Sequence, residues 1–372
     1  MKLIPLSKVS HTLQAGIALP WGVRDGDGNL LLAKGFKLQD EQTLHNLLAR
    51  GMFVDAAEAQ SGADPEPLPQ AMSERWVGLE ARLGTLLRSS TEQYFLQRVH
   101  ESVELIADLA DGNVDLLIFL ILRHDHTRLH NYGIAHALHC AALCSLLSRR
   151  LGWSDERRQS LLGAALTMNL AMLDLQGQLA GRGTQPTPTE RLLIDDHPAA
   201  SALLLRQAGL ADEEWLGAVE QHHEVPGGTG YPNRLSQPCE TSQLLRFVDC
   251  FTAKHSPRWG RKPMPAQKAA RELFTQSNGN PMAALIIKEL GIYPPGCYVR
   301  LASGEMGIVT QRGSTANTPI VAAILNKRGE SMMQPLRRDT TKPDYAIVST
   351  VPEDAVLVTC PVDKLYDRQA NR

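Results

Sequence analysis

Between about Met72 and Gly291 the chain repeats Leu, Ala and Ile at positions i, i+3 and i+4, and strand-like alternation is scarce. That period gathers apolar side chains into one stripe per helix, and each stripe must be buried against another helix. The segments Tyr94–Ala110, Ala135–Leu151 and Asp155–Leu173 show it most clearly. Gly152 follows the second as a C-cap, and Ser154 is placed to cap the third. Aromatic residues make up only 5% of the sequence, so the core of this body must be built mainly from Leu, Ala, Val and Ile. No repeat of fixed period is present.

The flanks have a different texture. In residues 1–55, Gly16–Pro20 and Leu30–Ala33 flank Asp25-Gly26-Asp27-Gly28, a hairpin turn signal, and Asp40–Arg50 reads as a helix stopped by Gly51. Residues 56–70 are rich in Ala, Pro, Gly and acid and read as a linker. After Pro294-Pro295-Gly296, the stretches Tyr298–Leu301, Met306–Val309 and Ile320–Leu325 alternate or run apolar, with turns at Ser303-Gly304 and Lys327–Gly329. The expected fold class is mainly α. An all-helical body over 71–293 is flanked by a small N-terminal α+β module and a β-rich C-terminal unit over 294–372.

A chain of 372 residues is long enough for two or three domains. The net charge of -2 gives no broad electrostatic reason to expect a nucleic-acid polymer or an acidic lipid surface as a partner. The start, Met1–Leu6, lacks the apolar run of a signal peptide, and the most apolar stretch, Leu116–Leu122, falls far short of the ~20 residues a spanning helix needs. The six cysteines are scattered, with no Cys-x-x-Cys pair, as expected of reduced thiols in the cytoplasm. Cys140 and Cys144 share a helix face, where two small core residues are the simpler reading than a metal site.

The segment His222-His223-Glu224-Val225-Pro226-Gly227-Gly228-Thr229-Gly230-Tyr231-Pro232 carries the strongest chemical signal. Two histidines at a helix end offer imidazole nitrogens to a metal, and a glycine-rich turn brings backbone N–H groups close to an anion. Taken alone, adjacent histidines are more often surface residues than ligands. The segment resembles the signature of the HD-GYP family, which runs His-His-Glu, two residues, Asp-Gly, a free residue, Gly-Tyr-Pro. One fixed position departs, Gly227 standing where the family has Asp.

The resemblance extends over about Asp111 to Val309, and implies an all-helical HD-type domain. His136 falls at the family's first metal-binding His, with His139 one turn on as a packing residue. His197-Pro198 resembles the His-Pro ligand, and Asp249 falls at the final carboxylate ligand. The resemblance therefore implies a metal set of His136, His197, His222, His223 and Asp249. Tyr231, with Arg258 and Arg261 after Ser256, falls where the family contacts its substrate; guanidinium forks suit phosphate oxygens, although a solvated basic loop fits the two arginines equally well. The implied chemistry is hydrolysis of cyclic di-GMP by a centre of iron or manganese ions.

At the places of the metal-bridging His-Asp dyad the chain has Met168 and Asn169, and Met172 replaces the Lys that follows. A thioether is a poor ligand for hard or borderline cations, and an amide carries no charge to bridge two of them. What remains sorts into His136 with Asp249, and His197 with His222 and His223. Three histidines can hold a single Zn-type ion with an open place. The cofactor is accordingly one divalent transition metal (Fe, Mn or Zn) or none. Three functions follow. The chain binds cyclic di-GMP or other signalling proteins without turning the nucleotide over, it hydrolyses with an altered mononuclear site, or it is a protein-interaction scaffold. The loss of the dyad favours the first.

Overall fold

A computed structural model describes residues 3–6, 19, 21–26, 28–33, 35, 36, 43, 52–55, 69–123, 129–356, 358 and 360–366. The chain divides into two compact units, Met1–Leu68 and Pro69–Arg372.

In the first unit, β1 (Leu3–Pro5), β2 (Val23–Arg24), β3 (Leu30–Leu32) and β4 (Phe53–Asp55) form an antiparallel sheet in the order β1-β4-β2-β3. Leu6, Leu19, Trp21, Val23 and Val54 are its core. The turn signal at Asp25–Gly28 joins Val23–Arg24 to Leu30–Leu32, with Val23 pairing with Leu32; the expected arm Gly16–Pro20 lies outside the described residues apart from Leu19. Asp25 holds the turn by accepting hydrogen bonds from the backbone and side-chain nitrogens of Asn29. The helix expected over Asp40–Arg50, and the linker up to Leu68, lie outside the described residues apart from single positions.

The second unit is a helical body. It comprises α1 (Pro69–Leu86), α2 (Phe95–Gly112), α3 (Val114–Leu122), α4 (Tyr132–Arg150), α5 (Asp155–Thr167), α6 (Leu173–Gly181), α7 (Pro188–Gln207), α8 (Glu213–Gln221), α9 (Glu240–His255), α10 (Ala266–Gln276) and α11 (Pro281–Leu290). α1 thus begins two residues inside the expected linker. Ser154 caps α5 by accepting the Arg157 N–H, and Gly152 after α4 takes the left-handed conformation that stops a helix (φ 68°). α4 is apolar on nearly all sides and runs through the centre of the body, so side chains that face other helices in every direction are buried. The helix expected over Asp155–Leu173 is interrupted. α5 stops at Thr167, and Leu170–Met172 form a single 3-10 turn before α6, so the chain breaks at Met168 and Asn169.

The body continues into an antiparallel sheet, in the order β8-β7-β6-β5-β9, of β5 (Tyr298–Leu301), β6 (Met306–Gln311), β7 (Ile320–Leu325), β8 (Ser331–Asp339) and β9 (Ile347–Val351). A short α12 (Val362–Leu365) follows. Successive side chains in a strand point to opposite faces. Tyr298, Ile308, Ala322 and Ile324 accordingly join the helical core, while Val299, Leu301, Val309 and Val321 form a second cluster under Tyr293, Tyr345 and Ile347. Burial on both faces explains why β6 and β7 read as apolar runs.

Candidate functional site

α7 starts with a capping box. Thr187 Oγ1 accepts the Glu190 N–H, and Glu190 accepts the Thr187 N–H at 2.8 Å. Ten residues on, Pro198 sits inside the helix. Proline has no N–H, so the Ile194 carbonyl four residues earlier loses its helical donor. The His197 ring fills that gap, Nδ1 donating to Ile194 O at 2.5 Å. At the end of α8 the same thing happens for a different reason. The last carbonyls of a helix have no intrahelical partner, and His222 Nδ1 donates to Val219 O at 2.7 Å.

A carbonyl can only accept, so both Nδ1 atoms carry the ring protons and both Nε2 atoms present lone pairs. These two Nε2 atoms face each other at 3.1 Å. Two acceptors hold that separation only with a proton or a cation between them. A proton is disfavoured. Burial, then the neighbouring His222, pushes His197 down to about 3. Burial also lowers His222, and burial followed by the His222 charge carries His223 well below the ordinary imidazole range. A cation bound to two imidazoles at ~2.0–2.1 Å separates their nitrogens by roughly 3.0–3.4 Å. The His197, His222 and His223 donor set, all within 4.8 Å of one another, therefore fits a divalent ion that takes nitrogen ligands.

The glycine-rich turn is fastened beneath this cluster. Glu224 is fully buried and accepts the backbone N–H groups of Asn233 at 2.6 Å and Leu235 at 2.9 Å. A Cβ at Gly230 would lie 2.4–2.5 Å from Val225 N, Glu224 Cα and His223 O, so only glycine permits this close return of the chain. The return delivers Tyr231, whose N–H donates to His223 O and whose ring stacks on His223 at 4.5 Å. Gly227, with φ 92°, leaves open space where a side chain would project. Beside the turn lies an open cleft of about 690 Å³ lined by Arg191, Leu192, Asp195 and Asp196 of α7 and by Gly228–Pro232 and Arg234.

A second group forms between α4 and α9. His136 Nε2 lies 2.8 Å from Asp249 Oδ1 and 3.6 Å from Cys140 Sγ. Burial works against the ionised Asp249, but the hydrogen bond from His136 outweighs it, and its carboxyl is held below the usual range. Tyr132 stacks on His136 at 5.6 Å and accepts a hydrogen bond from Arg258 Nη2 at 2.6 Å. Arg258 therefore points inward towards this group. Arg261 is exposed, and its guanidinium donates to the Ala253 carbonyl. Ser256 is occupied in donating to Thr252 O.

The two remaining positions differ. Met168 is buried in the apolar core, 1% exposed. Asn169 is buried too, at 3%, yet neither its Oδ1 nor its Nδ2 has a hydrogen-bond partner. A buried amide left this way costs ~1–3 kcal/mol per group, which an ion, a water or a ligand would relieve. His139, one turn beyond His136, stacks on Trp76 and is pushed down to about 3 by burial. Sequence reasoning took Cys140 for a core residue and assigned nothing to Glu224 or Tyr132. On a helix buried all round, a thiol that meets ligands has the same apolar neighbours in sequence as one that does not.

Among known proteins, residues 121–279 match the family model described as HD domain. A curated relative, "Cyclic di-GMP phosphodiesterase PA4108" of Pseudomonas aeruginosa, is 26% identical over 296 residues, covering 74% of this chain and 71% of that protein. Among solved structures, Bd1817, described as an HDG"Y"P protein from Bdellovibrio bacteriovorus, aligns with a TM-score of 0.49 and 15% identity over 76% of this chain and 96% of that one.

Proposed function

We propose that the chain, which is similar to HD-GYP proteins along its helical body, binds cyclic di-GMP in the cleft beside His197, His222 and His223 without hydrolysing it by a two-metal route. The observation that carries this reading is the turn after α5. There Met168 is given over to the core and Asn169 supplies an uncharged amide, so no carboxylate from this turn joins the two ligand groups.

His197, His222 and His223 would hold one divalent ion through neutral nitrogens. When bound, that ion supplies Lewis acidity towards a phosphate oxygen. The chain's own residues do the rest. Tyr231 offers an aromatic face at the cleft, and Arg234 offers it a guanidinium suited to a phosphodiester, while Arg191 is paired with Asp195 at 3.1 Å. Asp195 and Asp196, on the same cleft, can accept from a base or a ribose hydroxyl. Met172 is no phosphate contact, and half-exposed Arg258 is the inward-facing candidate from the loop after α9.

Calorimetry with cyclic di-GMP, paired with a search for linearised product in Mn²⁺ or Fe²⁺, tests the proposal. Saturable binding without product is expected, weakened by Arg258→Ala. Linear product that disappears in His222→Ala would overturn it in favour of a mononuclear hydrolase. The 3.1 Å approach of the His197 and His222 nitrogens favours that second reading, because it describes a site shaped for an ion. A repair variant, Met168→His with Asn169→Asp, is expected to raise metal affinity at least tenfold by returning a charged oxygen to the turn.

A further inference from the structure

We infer that Cys140 makes the His136–Asp249 pair into a second, thiolate-containing cation site, selective for zinc-like ions over manganese and magnesium. The inference rests on the reading above that this pocket takes divalent ions, and it adds a ligand outside the metal set drawn from the sequence.

His136 and Cys140 are four residues apart on α4, so their side chains project from one face, and Asp249 meets them from α9. One ligand atom from each lies within 4.8 Å of the other two. The thiol sulfur is 3.6 Å from His136 Nε2. A tetrahedral ion with Zn–S of ~2.3 Å and Zn–N of ~2.0–2.1 Å separates sulfur from nitrogen by about 3.5–3.6 Å. The thiol already stands at the spacing that coordination requires. Cys144, a turn further along the same helix, is equally buried but joins no ligand group among the described residues.

Charge points the same way. A thiolate and a carboxylate together neutralise a divalent ion, so the filled site is neutral in a buried setting, where an uncompensated charge is most costly. Sulfur also sets the selectivity. Thiolate ligands favour zinc, iron and cobalt, whereas manganese and magnesium prefer oxygen. With Met168 and Asn169 supplying no anion, Cys140 gives this half of the pocket a second one.

The test uses the full-length protein, stripped with a chelator and refilled with Co²⁺, read by elemental analysis and near-ultraviolet absorption. Thiolate-to-cobalt charge transfer gives a band that histidine and carboxylate ligands do not. The wild-type chain is expected to take up two cobalt ions and show the band. Cys140→Ser should lose the band and one ion, and His222→Ala should lose the other ion and keep the band. A single ion without the band in the wild type overturns the thiolate site and leaves the three-histidine site standing. A single ion with the band, lost in Cys140→Ser and kept in His222→Ala, supports the thiolate site and removes the three-histidine reading. A band that survives Cys140→Ser assigns the sulfur elsewhere and overturns the inference. The wild-type measurement needs no variant, so a misfolded Cys140→Ser would not rescue it.

Discussion

Pro198 does for His197 what a helix end does for His222: each leaves a carbonyl without its N–H, and an imidazole takes the place. Pro198→Ala returns an N–H to Ile194 O and sets it in competition with His197 Nδ1. The helix should keep or gain stability, because an internal proline costs ~3 kcal/mol. Zinc affinity, measured against a competing chelator, is expected to fall about tenfold, the scale on which lost orienting contacts act. His139 makes a separate prediction. Its imidazole titrates near 6.5 when unfolded and is pushed down to about 3 when folded, so the unfolded chain binds the extra proton. Stability is full above 6.5 and drains away as pH falls towards 3, by up to roughly 4–5 kcal/mol. His139→Phe, which keeps a ring against Trp76, should flatten that acid limb in denaturant melts. At this scale the sequence shows which residue types stand in the ligand order. It does not show that Ile194 and Val219 orient two of them, because a carbonyl is present at every position.

Between elements, spacing is set by one close approach. A Cβ at Gly163 on α5 would lie 2.5 Å from the Trp215 ring on α8, whose indole N–H donates to Thr167 Oγ1 at 2.8 Å. Gly163→Ala must push α5 and α8 apart, and α8 leads directly into His222 and His223. The expected cost is ~1–3 kcal/mol, together with weaker zinc binding at a residue that touches no ligand. Thermal melts with and without zinc separate the two effects. Helix periodicity made α2, α4 and the start of α5 readable, and Ser154 and Gly152 marked their boundary correctly. It failed after Thr167, because Leu170 and Leu173 continue an apolar pattern through a turn that is not α-helical. There the chain turns against α7, where Ser201 Oγ accepts the Ala171 N–H at 3.1 Å. A tertiary contact of that kind leaves no mark in a local window.

The sheet and the helical body are joined by charge as well as by a shared core. Arg312, just beyond β6, donates to Asp115 at 2.5 Å and to Glu289 at 3.0 Å, and Arg150 donates to Glu289 at 2.6 Å. Arg123 pairs with Glu353, and Tyr366 donates to the Thr310 carbonyl while meeting Phe119 edge-on. Arg312→Ala leaves Asp115, already raised by burial, without its cation. A loss of about 2 kcal/mol is expected, seen as one cooperative urea transition moved to lower concentration. Two separate transitions would instead mean that the sheet unfolds alone. The strands at 298–325 were legible from alternation. Their attachment was not, since the ion pairs join residues far apart in the chain.

Beyond Asp115, α3 is apolar on every side, with Leu116 to Leu122 all buried and the helix packed against α1, α2, α4 and β6. During synthesis α1 and α2 are made before it and α4 soon after, but β6 comes much later. The ribosome must add everything from Arg123 to Gln311 before that side is closed, on the order of 10–40 s at ordinary elongation rates. Throughout that interval the most oil-like segment of the nascent chain keeps one flank open to water, which marks it as the place where a holding chaperone would take hold.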